Sequence, residues 1–364
     1  MVIGIDASNI RSGGGKKHLL KFITSSLETD SDISFILVSN KLINQEFINY
    51  DRVKCITNMF LNSYNLLAFV SQVFFSNKYF TNNNCDIVFV PGGIFLSKFK
   101  PFYIMSQNML PFDQYEINNF PFIKRLKFRL IKILQIRSFN RSKGLIFLTN
   151  HARMSIQKLL SNNINSLVIP HGIYQQNKNH YSYNGNEFKI LYISDFLPYK
   201  HNFNVFSAVS DLILEGYNIS LTLIGKKDKV QYTKMKKILT SNGTLLERIK
   251  IIGQVPEDEI SHYYKRASIF LFASTCENLP FIILEALSYG LPIITSNKSP
   301  MKDIVYGDNI FFNSYDINDI KETIKKNLDF RKLSKISINN YHLSKKYTWQ
   351  DNVCKTINFF NSYK

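Results

Sequence analysis

The strongest constraint on the fold of this chain is a repeated alternation between short β-branched or aromatic runs and longer stretches with a helical period. The runs fall at 2–5, 35–38, 87–90, 103–105, 145–148 and 167–169 in the first half, and at 190–193, 221–224, 249–252, 269–272 and 293–295 in the second. Each is nearly continuous in apolar side chains, the pattern of a parallel strand covered by helices on both faces. Helix-period segments such as 203–214 and 258–266 lie between them. Two doubly wound, Rossmann-like α/β domains are expected, and 364 residues exceed what one core accommodates.

The stretch at 174–187, YQQNKNHYSYNGNE, is polar, rich in Asn and almost free of aliphatic side chains, which marks a linker. The expected division is a first domain at 1–172, a linker at 173–187 and a second domain at 188–346. No apolar run approaches the roughly 18 residues of a bilayer span, so no transmembrane helix is expected. The opening MVIGIDASN reads as a strand entering a polar turn and lacks the basic start and apolar core of a secretory signal, so a cytoplasmic location is expected. Cys55, Cys85, Cys276 and Cys354 are scattered without a C-x-x-C pair, which suggests reduced thiols and neither a zinc site nor a disulfide framework.

The formal net charge of +18 implies an anionic partner: nucleic acid, an acidic membrane surface or a phosphorylated ligand. Between Ile117 and Asn186 there is no Asp or Glu, whereas Lys124, Arg125, Lys127, Arg129, Lys132, Arg137, Arg141, Lys143, Arg153, Lys158 and Lys178 all fall there. Within that stretch Phe122, Leu126, Leu130 and Ile133 share one helical face, and Lys124, Arg125, Arg129 and Lys132 line another. Such a helix either lies on an anionic membrane or packs its apolar face inward as an ordinary domain helix.

The most informative segment is 273–296, ASTCENLPFIILEALSYGLPIITS, read as a strand end, a polar loop, a helix from about residue 280, a Gly290 stop and another strand. A helix N-terminus after a parallel strand offers backbone N–H groups and the positive end of a dipole, which suits a diphosphate. Glu277 before that helix and Glu285 in its second turn are placed to bind sugar and ribose hydroxyls. This string resembles the signature of the family 4 retaining glycosyltransferases, group 1 type, of GT-B fold: a Glu, seven residues, and a second Glu entering a Glu-Ala-hydrophobic helix. Gly290, Pro292 and Ser296 continue the match.

The resemblance implies two Rossmann-like domains facing each other across a cleft, with Glu277 on the donor sugar and Glu285 on the ribose. The family's Gly-Phe-Gly-Leu-Pro loop is here Asn278-Leu279-Pro280-Phe281-Ile282, so the turn at the diphosphate, Asn278, Leu279 and Pro280, differs. In YISDFLPYKHNFNVF at 192–206, Lys200 stands where the family has a diphosphate-binding Lys, whereas Ser194 or Asp195 takes the place of its Arg. Gly253 and Val255 would border the base. The first βα turn carries Gly13, Gly14 and Gly15, which permit close backbone approach and positive φ; it matches neither the P-loop nor the dinucleotide pattern. It stands where the family has an acceptor-side loop. In YIMSQNMLPFD at 103–113, Gln107 and Asn108 replace the family's His-Asp, and either amide can hydrogen-bond a sugar hydroxyl. Similarity extends to LIFLTNHAR, IPHGI, ISHYYKRASIFLFAS and the terminal YTWQDN, and it implies a C-terminal segment, 347–364, whose helix at 348–363 crosses back onto the first domain.

The working expectation is a metal-independent retaining transferase of the hexosyl type with Glu277 and Lys200 as catalytic residues. A UDP- or GDP-sugar is the donor and a glycan or polyprenyl-diphosphate-linked acceptor the partner, in O-antigen or capsule assembly, with no cofactor. Peripheral contact with the inner membrane through 122–137 is a further expectation. The rivals are a GT-B-like sugar-nucleotide epimerase and a basic nucleic-acid-binding protein. Asp30-Ser31-Asp32 has metal-site spacing but reads as a surface turn, and Glu257-Asp258-Glu259 as the acidic first turn of a helix.

Overall fold

The computed structural model describes residues 1–63, 65–161, 164–176 and 187–362. Most of the expected linker (177–186, with Lys178) and Tyr363 at the end of the last helix lie outside the described residues. The chain divides into one unit of residues 1–117, 121–172 and 347–364, and another of 118–120 and 173–346.

The first unit is built on seven strands: β1 (Val2–Asp6), β2 (Ser34–Val38), β3 (Val53–Ile56), β4 (Ile87–Val90), β5 (Phe102–Ser106), β6 (Gly144–Phe147) and β7 (Ser166–Val168). They pair in the order β3-β2-β1-β4-β5-β6-β7, every pair parallel. The order reverses between β1 and β4, the switch point at which open α/β sheets bind ligands. Gly4 in β1 is required by packing, since a Cβ there would lie 2.6 Å from the Phe80 ring.

The last helix, Trp349–Asn361, belongs to this unit. Its Phe359 and Phe360 rings pack on Tyr103 of β5 at centroid separations of 5.5 and 4.8 Å, and the Tyr103 hydroxyl donates to the Phe360 carbonyl at 3.1 Å. Asn352 donates to the Pro170 carbonyl at 2.6 Å, and a Cβ on Gly172 would fall 2.4 Å from the Trp349 nitrogen. Beneath Trp349 the buried His18 and His171 rings meet through their Nδ1 atoms at 3.0 Å. One imidazole must donate and the other accept, so at least the accepting ring is neutral. Burial drives His18 down to about 3 and His171 well below the usual imidazole range, the latter also through repulsion by His18.

The second unit holds six strands: β8 (Phe188–Ile193), β9 (Ile219–Ile224), β10 (Ile249–Ile252), β11 (Ile269–Phe272), β12 (Ile293–Ser296) and β13 (Ile310–Phe312). Their order, β10-β9-β8-β11-β12-β13, is again wholly parallel and reverses between β8 and β11. Helix Asn202–Leu214 turns Val205, Phe206, Val209 and Leu212 onto one face of this sheet, and helix Ile317–Lys325 adds Ile320 and Ile324 to the same core.

β3 and β13 are missing from the strands read in the sequence, and both are edge strands. β3 carries an exposed Lys54 within four residues, and β13 is three residues long, so neither gives the continuous apolar run of a central strand. Asp30-Ser31-Asp32 forms a turn closed by the Asp32 N–H on the Asp30 carboxylate at 2.8 Å.

Candidate functional site

In the second unit the loops leaving β8 and β11, the two strands that flank the switch point, are tied together. After β8 the chain makes a short 3-10 turn, Pro198–Lys200, and then passes through His201, whose φ of 52° is left-handed, into helix Asn202–Leu214. After β11 it runs through 273–280 into helix Phe281–Ser288. The Thr275 N–H and hydroxyl both donate to the Tyr199 carbonyl, at 2.9 and 3.2 Å, and the His201 Nε2 lies 3.2 Å from the Thr275 hydroxyl. The Tyr192 hydroxyl of β8 reaches forward to the Lys200 carbonyl. Burial pushes that phenol well above its usual range, so it remains a donor.

These ties bring Lys200 onto Glu277, two residues 77 positions apart, as an ion pair. The two side chains are only 12% and 14% exposed. The Lys200 ammonium also sits 5.1 Å from the Tyr199 ring centroid and 5.3 Å from that of Phe272, so the cation rests in a partly aromatic seat. A half-buried pair of this kind is weak as a stabiliser, because desolvation offsets the Coulombic gain. Its charges remain available to an incoming anion and its hydroxyl-bearing neighbour.

Helix Phe281–Ser288 starts directly after this pair, and the Pro280 carbonyl accepts from the Ile283 N–H at 3.1 Å. Asn278 and Leu279 are buried, and Pro280 is half-buried. Glu285, one turn into the helix and half-buried, accepts from the Tyr264 hydroxyl at 2.8 Å. Tyr264 belongs to helix Glu257–Arg266 and stacks on Tyr289 at 5.1 Å, which fixes its ring. Burial, and then the Glu285 charge beside it, raise the Tyr264 phenol well above the usual range, so its proton stays on the oxygen that faces Glu285.

The surroundings of this switch point are polar. Ser194 is buried, its hydroxyl donating to the Asp195 carbonyl and accepting from Asn202, both at 3.2 Å. A Cβ on Gly225, which has φ +147°, would strike the Ser194 carbonyl at 2.0 Å; this crossing therefore requires glycine. Gly253 follows β10, with its carbonyl accepting from the Gly225 N–H at 3.3 Å, and Val255 lies two residues on. The Ser274 hydroxyl and the Asn202 amide oxygen are buried without a hydrogen-bond partner, which is costly unless a ligand or water meets them. Among the described residues no group of three or more His, Cys, Asp or Glu is placed to hold a metal ion.

In the first unit Gly13, Gly14 and Gly15 form the first turn of helix Gly13–Thr29, entered at Gly13 with φ +67°. A Cβ on Gly15 would come 3.2 Å from the Gln107 amide oxygen, so two features read separately in the sequence are neighbours. Gln107 is half-buried, whereas Asn108 is exposed and uses its side chain to cap the Leu110 N–H at 3.0 Å. Lys200, Glu277, Ser194 and the start of the Glu285 helix thus assemble in one unit, while Gly15 and Gln107 assemble in the other.

Tyr264, Thr275 and Ser274 carry no motif that marks them in the sequence, and His201 is likewise absent from the site residues read there. His201 adopts a left-handed φ, a region in which Asn, Asp and His are several-fold enriched among non-glycine residues.

Two doubly wound parallel sheets, ordered 3-2-1-4-5-6-7 and 3-2-1-4-5-6, the second carrying a lysine–glutamate pair at its switch point, define a protein of GT-B fold. Residues 174–342 match the family described as "Glycosyl transferases group 1", so the second unit is a group 1 glycosyltransferase domain. Among curated relatives, the O-antigen chain mannosyltransferase B of Escherichia coli is 27% identical over 150 residues, which is 41% of this chain and 36% of that protein. The matched stretch is thus well under half of that relative's length. Among solved structures, the sucrose-phosphate synthase of Thermosynechococcus elongatus superposes with a TM-score of 0.79 at 13% identity, covering 100% of this chain and 99% of that one. Anabaena HepE in complex with UDP-glucose gives a TM-score of 0.75 at 14% identity, with full coverage of both chains.

Proposed function

We propose that this protein is a retaining hexosyltransferase that moves a sugar from a UDP- or GDP-sugar to a glycan or polyprenyl-diphosphate-linked acceptor in surface-polysaccharide assembly. The observation that carries the reading is the Lys200–Glu277 pair, held at the β8/β11 switch point directly before helix Phe281–Ser288. A diphosphate at that helix start meets both the Lys200 ammonium and the helix dipole, while Glu277 faces the attached sugar. Glu285, oriented by Tyr264, is one turn further and suits ribose hydroxyls. Asn278, Leu279, Pro280 and Ser194 shape the diphosphate turn, and Gly253 and Val255 border the base.

In the transfer, the bond from the sugar C1 to the diphosphate breaks with its electron pair leaving on the diphosphate. The acceptor oxygen bonds C1 and gives up its proton to the departing diphosphate. Negative charge therefore grows beside Lys200 and the helix N-terminus, the type of preorganised stabilisation that contributes most to such reactions. Lys200 supplies the positive charge that a metal would otherwise supply, so the scheme is metal-independent and needs no cofactor beyond the donor. Gln107 and the Gly13–Gly15 turn serve the acceptor side. The polysaccharide role takes its support from the O-antigen relative, and the UDP-sugar class from the UDP-glucose complex of HepE.

The test is turnover of a panel of UDP- and GDP-sugars by the full chain, with and without polyprenyl-diphosphate-linked sugar acceptors, in EDTA. Transfer that requires acceptor, survives EDTA and keeps the anomeric configuration supports the reading. Donor interconversion without acceptor points to an epimerase, and activity abolished by EDTA contradicts metal independence.

A further inference from the structure

The fully buried residues of helix Phe122–Arg141 all lie in its C-terminal half. Gln135, Ser138 and Phe139 are buried: the Ser138 hydroxyl donates to the Leu134 carbonyl at 2.7 Å and accepts from the Phe95 N–H at 3.0 Å. Arg141 donates to the Ser97 carbonyl at 2.8 Å. Phe139 stacks on Phe112 at 6.4 Å. The face that carries Gln135, Ser138 and Phe139 therefore packs inward.

The apolar stripe points the other way. Phe122, Ile123, Leu126, Leu130 and Ile133 are between 49% and 82% exposed. At 3.6 residues per turn these five side chains fall within about 100° of arc, opposite the anchored face. An apolar stripe left in water on a well-formed helix is the feature that marks an interaction surface. Lys127 borders the stripe on one side and Arg129 on the other, with Arg137 at its far end, all three exposed. The sequence from 118 to 186 contains no Asp or Glu that would oppose an anionic partner.

We propose that this helix lies in the headgroup region of an anionic bilayer, with Phe122, Ile123, Leu126, Leu130 and Ile133 inserted and Lys127, Arg129 and Arg137 on acidic lipid headgroups. An apolar stripe flanked by cations on long side chains is the construction of an interfacial helix: the stripe enters the acyl boundary while the ammonium and guanidinium groups stay with the phosphates. Among the described residues no helix is long and apolar enough to cross a membrane, so this is attachment to one face. Charge complementarity selects the bilayer over a second copy of the chain, which would bring the same cations against themselves. The inference is independent of the reaction proposed above.

The test is co-sedimentation of the full chain with phosphatidylcholine vesicles containing or lacking phosphatidylglycerol, at low and high salt. Wild type, Leu126→Ser/Leu130→Ser and Lys127→Glu/Arg129→Glu are compared, with circular dichroism to confirm that each is folded. These side chains are exposed, so the variants keep the fold. The expected result is binding only to vesicles with phosphatidylglycerol, weakened at least tenfold by either pair of substitutions and weakened by salt in wild type. Several outcomes overturn the proposal: no vesicle binding, equal binding by the variants, dimers that Leu126→Ser/Leu130→Ser dissociates while vesicles go unbound, or tight binding to random single-stranded RNA in place of vesicles.

Discussion

Thr275 and Tyr199 are joined by two hydrogen bonds to a single carbonyl, from the Thr275 N–H at 2.9 Å and its hydroxyl at 3.2 Å. Because Lys200 follows Tyr199 and Glu277 lies two residues beyond Thr275, this clasp sets the separation of the ion pair. Replacing Thr275 with Val keeps the shape and the N–H bond but removes the hydroxyl. Loss of one such bond costs about 1 kcal/mol of stability. A loosened clasp is expected to lower kcat roughly tenfold, since small misplacements of catalytic groups are expensive. Thermal unfolding and steady-state kinetics on Thr275→Val check both.

Tyr264→Phe removes the hydroxyl that orients Glu285 and leaves the ring stack with Tyr289 intact. A hydrogen bond to a charged group contributes about 2 kcal/mol. Donor affinity is therefore expected to fall roughly tenfold with little change in kcat at saturating donor, measured by titration calorimetry and initial rates.

On the acceptor side, Gly15→Ala places a methyl 3.2 Å from the Gln107 amide oxygen. Alanine favours the helix by up to about 1 kcal/mol, so stability should hold or rise slightly. Gln107 must shift, and the expected signature is a higher acceptor KM with donor affinity unchanged.

The buried imidazole pair makes stability depend on pH. Both histidines have folded values below the unfolded value of about 6.5. The unfolded chain therefore binds more protons as pH falls. Their contribution is fully present above about pH 6.5 and declines below it, for His18 down to about 3, by about 1 kcal/mol per pH unit per imidazole. Asp6, buried at the end of β1, is raised by burial, the opposite sign, and is common to both proteins in the comparison. Urea midpoints between pH 7.5 and 4.5 should fall more steeply for wild type than for His18→Leu.

Central strands are legible in the sequence because parallel strands buried on both faces are unbroken apolar runs. Edge strands β3 and β13 are not, since half-exposed pairing tolerates Lys54 and a length of three residues. At the site, the Glu277 and Glu285 spacing is local and readable, as is the helix that carries it. The pairing of Lys200 with Glu277, and of Gly15 with Gln107, depends on which strands become neighbours, and no short motif encodes that. Periodicity also gives helix Phe122–Arg141 an apolar face without saying which way it points. Ser138, which accepts from the Phe95 N–H, and the buried Gln135 and Phe139 fix the opposite face inward, so the stripe points outward.

The most direct measurement of the central claim is thermal stabilisation of wild type, Lys200→Ala and Glu285→Ala by UDP- and GDP-sugars in metal-free buffer. At 100 times its dissociation constant a donor should stabilise wild type by about 2.7 kcal/mol, and both substitutions should reduce that shift markedly. A stabilising sugar nucleotide whose effect is untouched by Lys200→Ala would contradict the assignment of the β8/β11 switch point as the donor site.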